Sequence, residues 1–518
     1  MDSQHPSEPS SDREQRPPVQ PYQVWRWPLH WQILLGLLIG VALGFAAALP
    51  AIEEAEDTVR AEQADREPED RLRGADLTAA IAAEAEQTVT ARWDYLIYDL
   101  LGDLFMQGLM MIVVPLITSS IVLAIIGIGR RSGFGRLGIK TLLYYLATSL
   151  IAVLVGLVLI NIVSPGLVPG DEPLLTAERA ALFEREQAQM REQLDLEEDE
   201  LPEGAEFLNV FRQMIPPNVV QAAAQGQLLG LIVVSLIVGF LIVRKLAEEP
   251  RRIMVNFWQA IYDITFTVTQ FIIRLAPIGV CFLLATTVAS NYARLAPDGR
   301  FAELVNALLW FTGTALAALA VHFLLVMPLL LLLVARVNPW RHYKAMAPAL
   351  MTAFSTASSA ATLPLTLRCV QENAGVSKKT SSFVLPLGAT VNMDGTALYE
   401  CVAAIFIAQA FGIVLGFDQQ FFIVVVALLT SIGVAGVPAA SLVAILVILA
   451  ALEQQLAARG IVAPLVLGLP ILFAFDRFLD MCRTAVNVFS DSVAAVVIGR
   501  TEGETGILEH PDNRELEA

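Results

Sequence analysis

Charge is scarce in this chain. Of its 518 residues only 16% are Asp, Glu, Lys or Arg, 55% are hydrophobic, and the mean hydropathy is +0.60. Soluble domains carry about 25% charged residues, so the deficit argues against a water-soluble globule. Cysteine is scarcer still, at four. Cys281, Cys369, Cys401 and Cys482 all stand in apolar segments, with no CxxC or Cys/His spacing, which argues against a disulfide framework or a thiolate metal site. Of the five histidines only His322 falls deep in an apolar run, where a packed or interhelical hydrogen-bonding role is expected. No GxSxG or HExxH pattern occurs, and no histidine is expected beside the polar residues of the last third, so an intramembrane enzyme ranks last among the readings. GFGRLG at Gly133–Gly138 fits GxGxxG by letter but follows no strand, and is a chance match.

What the chain has is apolar length. Long apolar stretches begin near Trp31, Ile97, Leu142, Leu228, Ile253, Leu304, Phe383, Phe421 and Val462. Several exceed the roughly 20 residues that span a hydrocarbon core, so a polytopic α-helical membrane protein is expected. The net charge of −17 is concentrated in two inserts, Ile52–Asp94 and Asp171–Glu206, the second read as a solvated helix plus loop. Short basic linkers at Gly129–Lys140, Val243–Arg252 and Ala335–Lys344 stay cytoplasmic by the positive-inside rule. That places both inserts outside and the amino terminus inside, and the carboxyl terminus is expected to be cytoplasmic as well. Residues 1–24 are polar and Pro-rich, as a disordered tail is. The first apolar run starts too late, and is followed by too many others, for a cleavable signal peptide.

From Met346 onward the spans become interrupted. FSTASSAATLPLT (Phe354–Thr366) is small and hydroxyl-rich, and the helix after it is broken within Leu387–Thr396. The arrangement recurs: SIGVAGVPAAS (Ser431–Ser441) precedes a helix with polar residues in its middle. Paired Gly/Pro-interrupted segments point to a transporter binding site, with helix amino termini suited to an anion and freed carbonyls to a hard cation. Helix kinks and small-residue packing are the plainer alternative.

The final helix carries FDRFLDMCRTAVNVFSDS (Phe475–Ser492). With about 100° per residue, Asp476, Asp480, Arg483, Thr484, Asn487 and Asp491 fall within an arc of about 100°. A charge at the bilayer centre costs at least about 2.5 kcal/mol, so an intramembrane ionisable stripe is a functional hypothesis by default. An ion-pair face is the alternative, since Asp480 and Arg483 are spaced to pair. Asp476 and Arg477 are read as structural partners.

These motifs resemble the dicarboxylate/amino acid:cation symporters, the glutamate transporter family. The matching pieces are YYLATS (Tyr144–Ser149), SSAATLP (Ser358–Pro364), NMDGTALYE (Asn392–Glu400), SIGVAGVP (Ser431–Pro438) and DRFLDMCRTAVNV (Asp476–Val488). The resemblance implies eight transmembrane helices plus two re-entrant hairpins in an inverted-repeat fold, assembled as a homotrimer. Residues 1–30 would be a cytoplasmic tail, 31–345 the first six helices with inserts 52–94 and 171–206, 346–500 the transport core, and 501–518 a second tail. Helices one, two, four and five would be the scaffold. The others, with both hairpins, would move as an elevator in the plasma membrane, or in the inner membrane of a bacterium.

The same resemblance implies site roles. Arg483, helped by Thr396, would take a side-chain carboxylate, and Asp480 with Thr484 an α-ammonium. Asn487, Ser358 and Ser359 would take the α-carboxylate, with Val437 lining the site. One Na+ position would use Asp491 with carbonyls of Gly388, Asn392 and Asn487. A second would use Thr390, Ser431, Ile432 and Val434, with Met393 also counted among the cation ligands. A third would use Tyr145, Thr148, Ser149, Asn392 and Asp394. Glu400 stands where proton-coupled animal members carry a glutamate, and is either a proton carrier or a buried structural carboxyl. Met481 lacks the arginine that accompanies potassium counter-transport. The implied activity is uptake of glutamate or aspartate coupled to Na+, either alone or together with H+. A neutral amino acid would leave Arg483 unpaired, and a C4-dicarboxylate lacks the ammonium that Asp480 needs. Both stay open as alternatives, as does a channel of the same fold. No nucleic acid partner is implied.

Overall fold

The computed structural model describes residues 29–67, 71–130, 136–167, 174–175, 215–224, 228–431, 440–457, 459, 461 and 463–509. Every regular element among these is a helix. The amino-terminal tail, all of the second insert but Leu174 and Leu175, and the 432–439 segment with Ile432, Val434 and Val437 lie outside them.

Helix α1 (Leu29–Ala64) carries the first apolar run and does not stop at its end. The acidic insert read as starting at Ile52 has no structural boundary there. Ala47, Ala48, Ala51 and Ala55 keep one narrow face buried, so the helix runs on. α2 (Ala75–Ala91) returns against that face with Ala85 and Val89. Next come α3 (Trp93–Arg130), α4 (Arg136–Val163), α5 (Leu228–Lys245), α6 (Glu248–Arg274) and α7 (Ala276–Leu295). α1 packs along α7, and α3 packs on α5, α6 and α7. α8 (Phe301–Ala335) loosens into π turns at His322–Val326 and Leu331–Ala335, on either side of Pro328. Proline gives no N–H to the ladder, and a π turn is one way a helix absorbs that.

The last third begins with a hairpin. α9 (Pro339–Thr356) ends at Ala357, whose φ of +49° turns the chain into α10 (Ser359–Arg368). α11 (Lys378–Val391) and α12 (Asp394–Ala410) are one apolar span with a break in it. The break expected across Leu387–Thr396 is narrower than that, with only Asn392 and Met393 leaving the helix. α13 (Phe417–Ser431) and α14 (Ala440–Ala457) follow, then the long α15 (Leu469–Thr501).

Six helices among the described residues are long and apolar enough to cross a membrane. Leu38, Leu104, Met111, Ile264 and Leu333 on α1, α3, α6 and α8 are 56–72% exposed. Such apolar rows are a liability in water and a lipid contact in a bilayer. The protein is an all-α, multi-pass membrane protein. α12 is buried along its whole length, packed on α4, α8, α13 and α15. The polar residues of α15 meet the α11–α12 break there.

Candidate functional site

The break is built from a glycine and a borrowed acceptor. A Cβ on Gly388 would lie 2.2 Å from Asp491 Oδ1 and 2.6 Å from the Tyr145 hydroxyl, so only glycine lets α11 come this close to α15 and α4. The Asn392 N–H bonds to the Gly388 carbonyl at 2.9 Å and closes α11. α12 then starts with free N–H groups, as every helix does, and Gly395 N–H finds Asn487 Oδ1 on α15 at 2.8 Å.

An oxygen-rich cluster surrounds that break. Asp394 Oδ1 accepts from the Ser149 hydroxyl at 2.6 Å, with Thr148 Oγ1 3.4 Å away. Its Oδ2 accepts from the Ser490 hydroxyl at 2.6 Å. Thr148 Oγ1 also lies 3.3 Å from Asn392 Oδ1. Asn392 Nδ2 donates to Ser490 Oγ at 2.9 Å and to Asp491 Oδ1 at 3.0 Å. Tyr145 donates to the Val384 carbonyl at 2.8 Å. All these side chains are buried, and among the described residues no Lys or Arg pairs with Asp394 or Asp491. Two buried carboxylates without a fixed cation, ringed by hydroxyl and amide oxygens, suit a hard monovalent or divalent cation. Residues of the first and third expected Na+ positions are thus brought together. Of the second, Ser431 is buried with its hydroxyl on the Leu428 carbonyl at 3.0 Å, Met393 is buried in the break, and Thr390 is exposed at the end of α11.

Histidine corrects two expectations. His322 is fully buried, and its Nε2 lies 3.1 Å from Asp394 Oδ2, so a histidine does stand at the polar cluster. His342 is fully buried as well, with Nε2 2.9 Å from Ser492 Oγ, so His322 is not the single deep one. Both contacts join residues far apart in sequence, and no local spacing announces them.

Above the break, α15 carries the charged part of the stripe. Arg483 is 1% exposed and its Nη2 donates to Asp476 Oδ1 at 3.1 Å and Asp480 Oδ1 at 3.0 Å. Its guanidinium carbon lies 3.9 Å from the centroid of the Tyr399 ring. Arg477 Nη1 reaches Asp480 Oδ2 at 3.3 Å. Asp476 thus pairs with Arg483 and Arg477 with Asp480, and Arg483 is compensated within its own helix. The argument that a neutral substrate would leave Arg483 unpaired does not hold, because residues three and seven back share its face. Yet Nε and Nη1 of Arg483 are buried with no hydrogen-bond partner among the described residues. Thr484 Oγ1 bonds to the Asp480 carbonyl at 2.8 Å, and Asn487 Nδ2 to Thr396 Oγ1 at 3.0 Å. Ser358 caps α10 by accepting from Ala361 N–H at 3.2 Å, and Ser359 is buried on the same hairpin, which packs on α15.

Glu400 lies one turn beyond Thr396 on α12. It is fully buried, its Oε2 accepts from the Thr430 hydroxyl at 2.8 Å, and its Oε1 has no partner among the described residues.

Residues 29–501 match the family model described as the sodium:dicarboxylate symporter family. The chain belongs to that family. Similar curated proteins include excitatory amino acid transporter 3 of Homo sapiens, 34% identical over 452 residues that cover 80% of this chain and 79% of the relative. Excitatory amino acid transporter 1 of Ambystoma tigrinum is 32% identical over 462 residues, covering 80% and 78%. The proton/glutamate-aspartate symporter of Escherichia coli K12 is 32% identical over 414 residues, covering 79% and 87%. Family membership makes this a membrane transporter. Asp476, Tyr399, Ser490, His322 and Thr430 join the site without having been named from sequence as ligands, and of these only Asp476 was visible on the polar stripe.

Proposed function

We propose that this protein is a secondary active symporter that couples entry of Na+ to uptake of an acidic amino acid. The observation that carries the reading is Arg483. One nitrogen is held by Asp476 and Asp480, while Nε and Nη1 are buried donors with no partner among the described residues. An unmade bond at a buried donor costs about 1–3 kcal/mol, more for a charged group. A substrate carboxylate that accepts from one of these free donors, alone or together with the neighbouring Nη2, lowers that penalty through a charge-assisted bond.

The remaining roles follow the stripe. Asp480 and Thr484 take the ammonium, and Asn487 with Ser358 and Ser359 takes the α-carboxylate, with Thr396 and Val437 lining the site. Asp491, Gly388, Asn392 and Asn487 hold one Na+. Tyr145, Thr148, Ser149, Asn392 and Asp394 hold another. Thr390, Met393, Ser431, Ile432 and Val434 serve a third. Asn487 bonds both to the Gly395 N–H at the break and to Thr396, so a cation that sets the break also sets the substrate contacts. That shared residue is the physical link between ion and substrate.

Glu400 is proposed as the carrier of a coupled proton. α4, α8 and the elements from α9 to α15 would travel as one body against α1, α3, α5, α6 and α7, in a homotrimer with both termini cytoplasmic. The test is uptake into proteoliposomes. An inward Na+ gradient should drive concentrative entry of L-aspartate or L-glutamate, and entry of succinate with neither amino acid would overturn the reading.

A further inference from the structure

Helix α15 does not end in free chain. Gly503 has a φ of +90°, and the chain reverses there. Its N–H bonds to the Arg500 carbonyl at 3.1 Å, and the Glu504 N–H to the Gly499 carbonyl at 3.0 Å, the closure that a glycine just past a helix end permits. The segment then docks at two places.

On one side, Glu504 caps α11. Its carboxylate accepts from the Ser377 N–H at 2.9 Å, the Ser377 hydroxyl at 2.6 Å and the Thr380 hydroxyl at 2.5 Å. Burial works to raise the Glu504 carboxyl, and the hydrogen bonds from Ser377 and Thr380 outweigh it, leaving the group below its ordinary range. Ile507 and Leu508 are buried in one apolar cluster with Ala374 and Val376, and Leu508 N–H bonds to the Ala374 carbonyl at 2.8 Å. On the other side, Glu502 pairs with Lys140 at 2.5 Å and with Arg136 at 3.4 Å at the start of α4. Lys140 also reaches the Thr501 carbonyl at 2.9 Å. The family match ends at residue 501, so this segment lies beyond the shared pattern.

The three helices tied here are the three that carry the Asp491, Gly388 and Tyr145 cluster. At a rise of about 1.5 Å per residue, Lys140 is about 7.5 Å along α4 from Tyr145, and Thr380 about 12 Å along α11 from Gly388. Thr501 is about 15 Å along α15 from Asp491. Helices this short are stiff levers, and a metal site tolerates only about 0.5 Å of misplacement in its ligands. We propose that residues 502–509 are a positioning strap that sets the spacing of α4, α11 and α15 and thereby the cation affinity of the site. The inference rests on the reading of Asp491, Gly388 and Tyr145 as cation ligands.

The experiment is a Na+ titration of L-aspartate uptake in proteoliposomes for the wild type, Glu504→Ala and a chain ending at Thr501. Both variants should need about tenfold more Na+ for half-maximal uptake, the low end for loss of support behind a metal site, with little change in rate at saturating Na+. Glu504→Gln, which keeps one acceptor oxygen, should fall between. A strap that only stabilised the fold would lower the melting temperature and leave the Na+ titration in place, and that result overturns the proposal. Should the shortened chain fail to purify as a monodisperse protein, Glu504→Ala decides alone. Uptake by the wild type that ignores Na+ would remove the underlying reading first, and the strap with it.

Discussion

Asp476 and Arg483 stand two turns apart on α15 and meet through a 3.1 Å bond between Oδ1 and Nη2, both side chains buried. The pair holds Nη2 and leaves Nε and Nη1 as buried donors with no hydrogen-bond partner among the described residues. Asp476→Ala removes one of two anions around a buried cation. Breaking a buried pair costs about 3–5 kcal/mol, and since Asp480 remains the loss should sit at the low end. The melting temperature should fall and the amino acid KM should rise. No change in either would mean that Asp480 alone holds Arg483.

Arg483→Cys should lower acidic amino acid uptake about a hundredfold, or roughly 2.8 kcal/mol, and shift preference toward small neutral amino acids. It also strands Asp476 and Asp480 without their common cation. The double variant with Asp476→Asn should therefore melt higher than Arg483→Cys alone. Competition assays with a panel of amino acids read the selectivity, and an unshifted preference would dissociate Arg483 from substrate recognition.

Glu400→Gln keeps an acceptor for the Thr430 hydroxyl at 2.8 Å and removes the ionisable group. If Glu400 carries the coupled proton, the dependence of uptake on external pH flattens while the fold survives. An unaltered pH profile assigns Glu400 a structural role only.

Gly388→Ala places a methyl group 2.2 Å from Asp491 Oδ1 and 2.6 Å from the Tyr145 hydroxyl. Overpacking of this kind costs about 1–3 kcal/mol. The displaced carboxylate should weaken apparent Na+ affinity about tenfold, as outer support losses do at metal sites. Na+ titration of uptake measures it, and an unmoved midpoint would argue that Asp491 binds no cation.

Much of this site was legible in advance, and for identifiable reasons. The stripe from Asp476 to Asp491 obeys helical periodicity, so its members could be listed without coordinates. The small, hydroxyl-rich hairpin around Ser358 and the broken span around Asn392 announce themselves by residue type. His322 makes the interhelical hydrogen bond expected of a deep histidine, but its partner Asp394 could not be read because it is 72 residues away on another helix. His342 with Ser492 and Glu400 with Thr430 hid for the same reason. The continuity of α1 through the acidic segment to Ala64 was not legible either, because alanine counts weakly toward an apolar run yet packs a helix face closely.

Membrane residence, the interrupted spans and the single polar face of α15 therefore follow from composition and local spacing, because lipid penalises unpaired polar backbone and unpaired charge wherever they occur. Which charges answer one another was left to the fold. Arg483 is neutralised by Asp476 and Asp480 on its own helix, whereas Asp394 meets Ser149, Ser490 and His322 from three others. The carboxy-terminal strap reaches α4 and α11 only because Gly503 reverses the chain beside them. Contacts across helices depend on crossing and depth, and no periodicity within one helix encodes either.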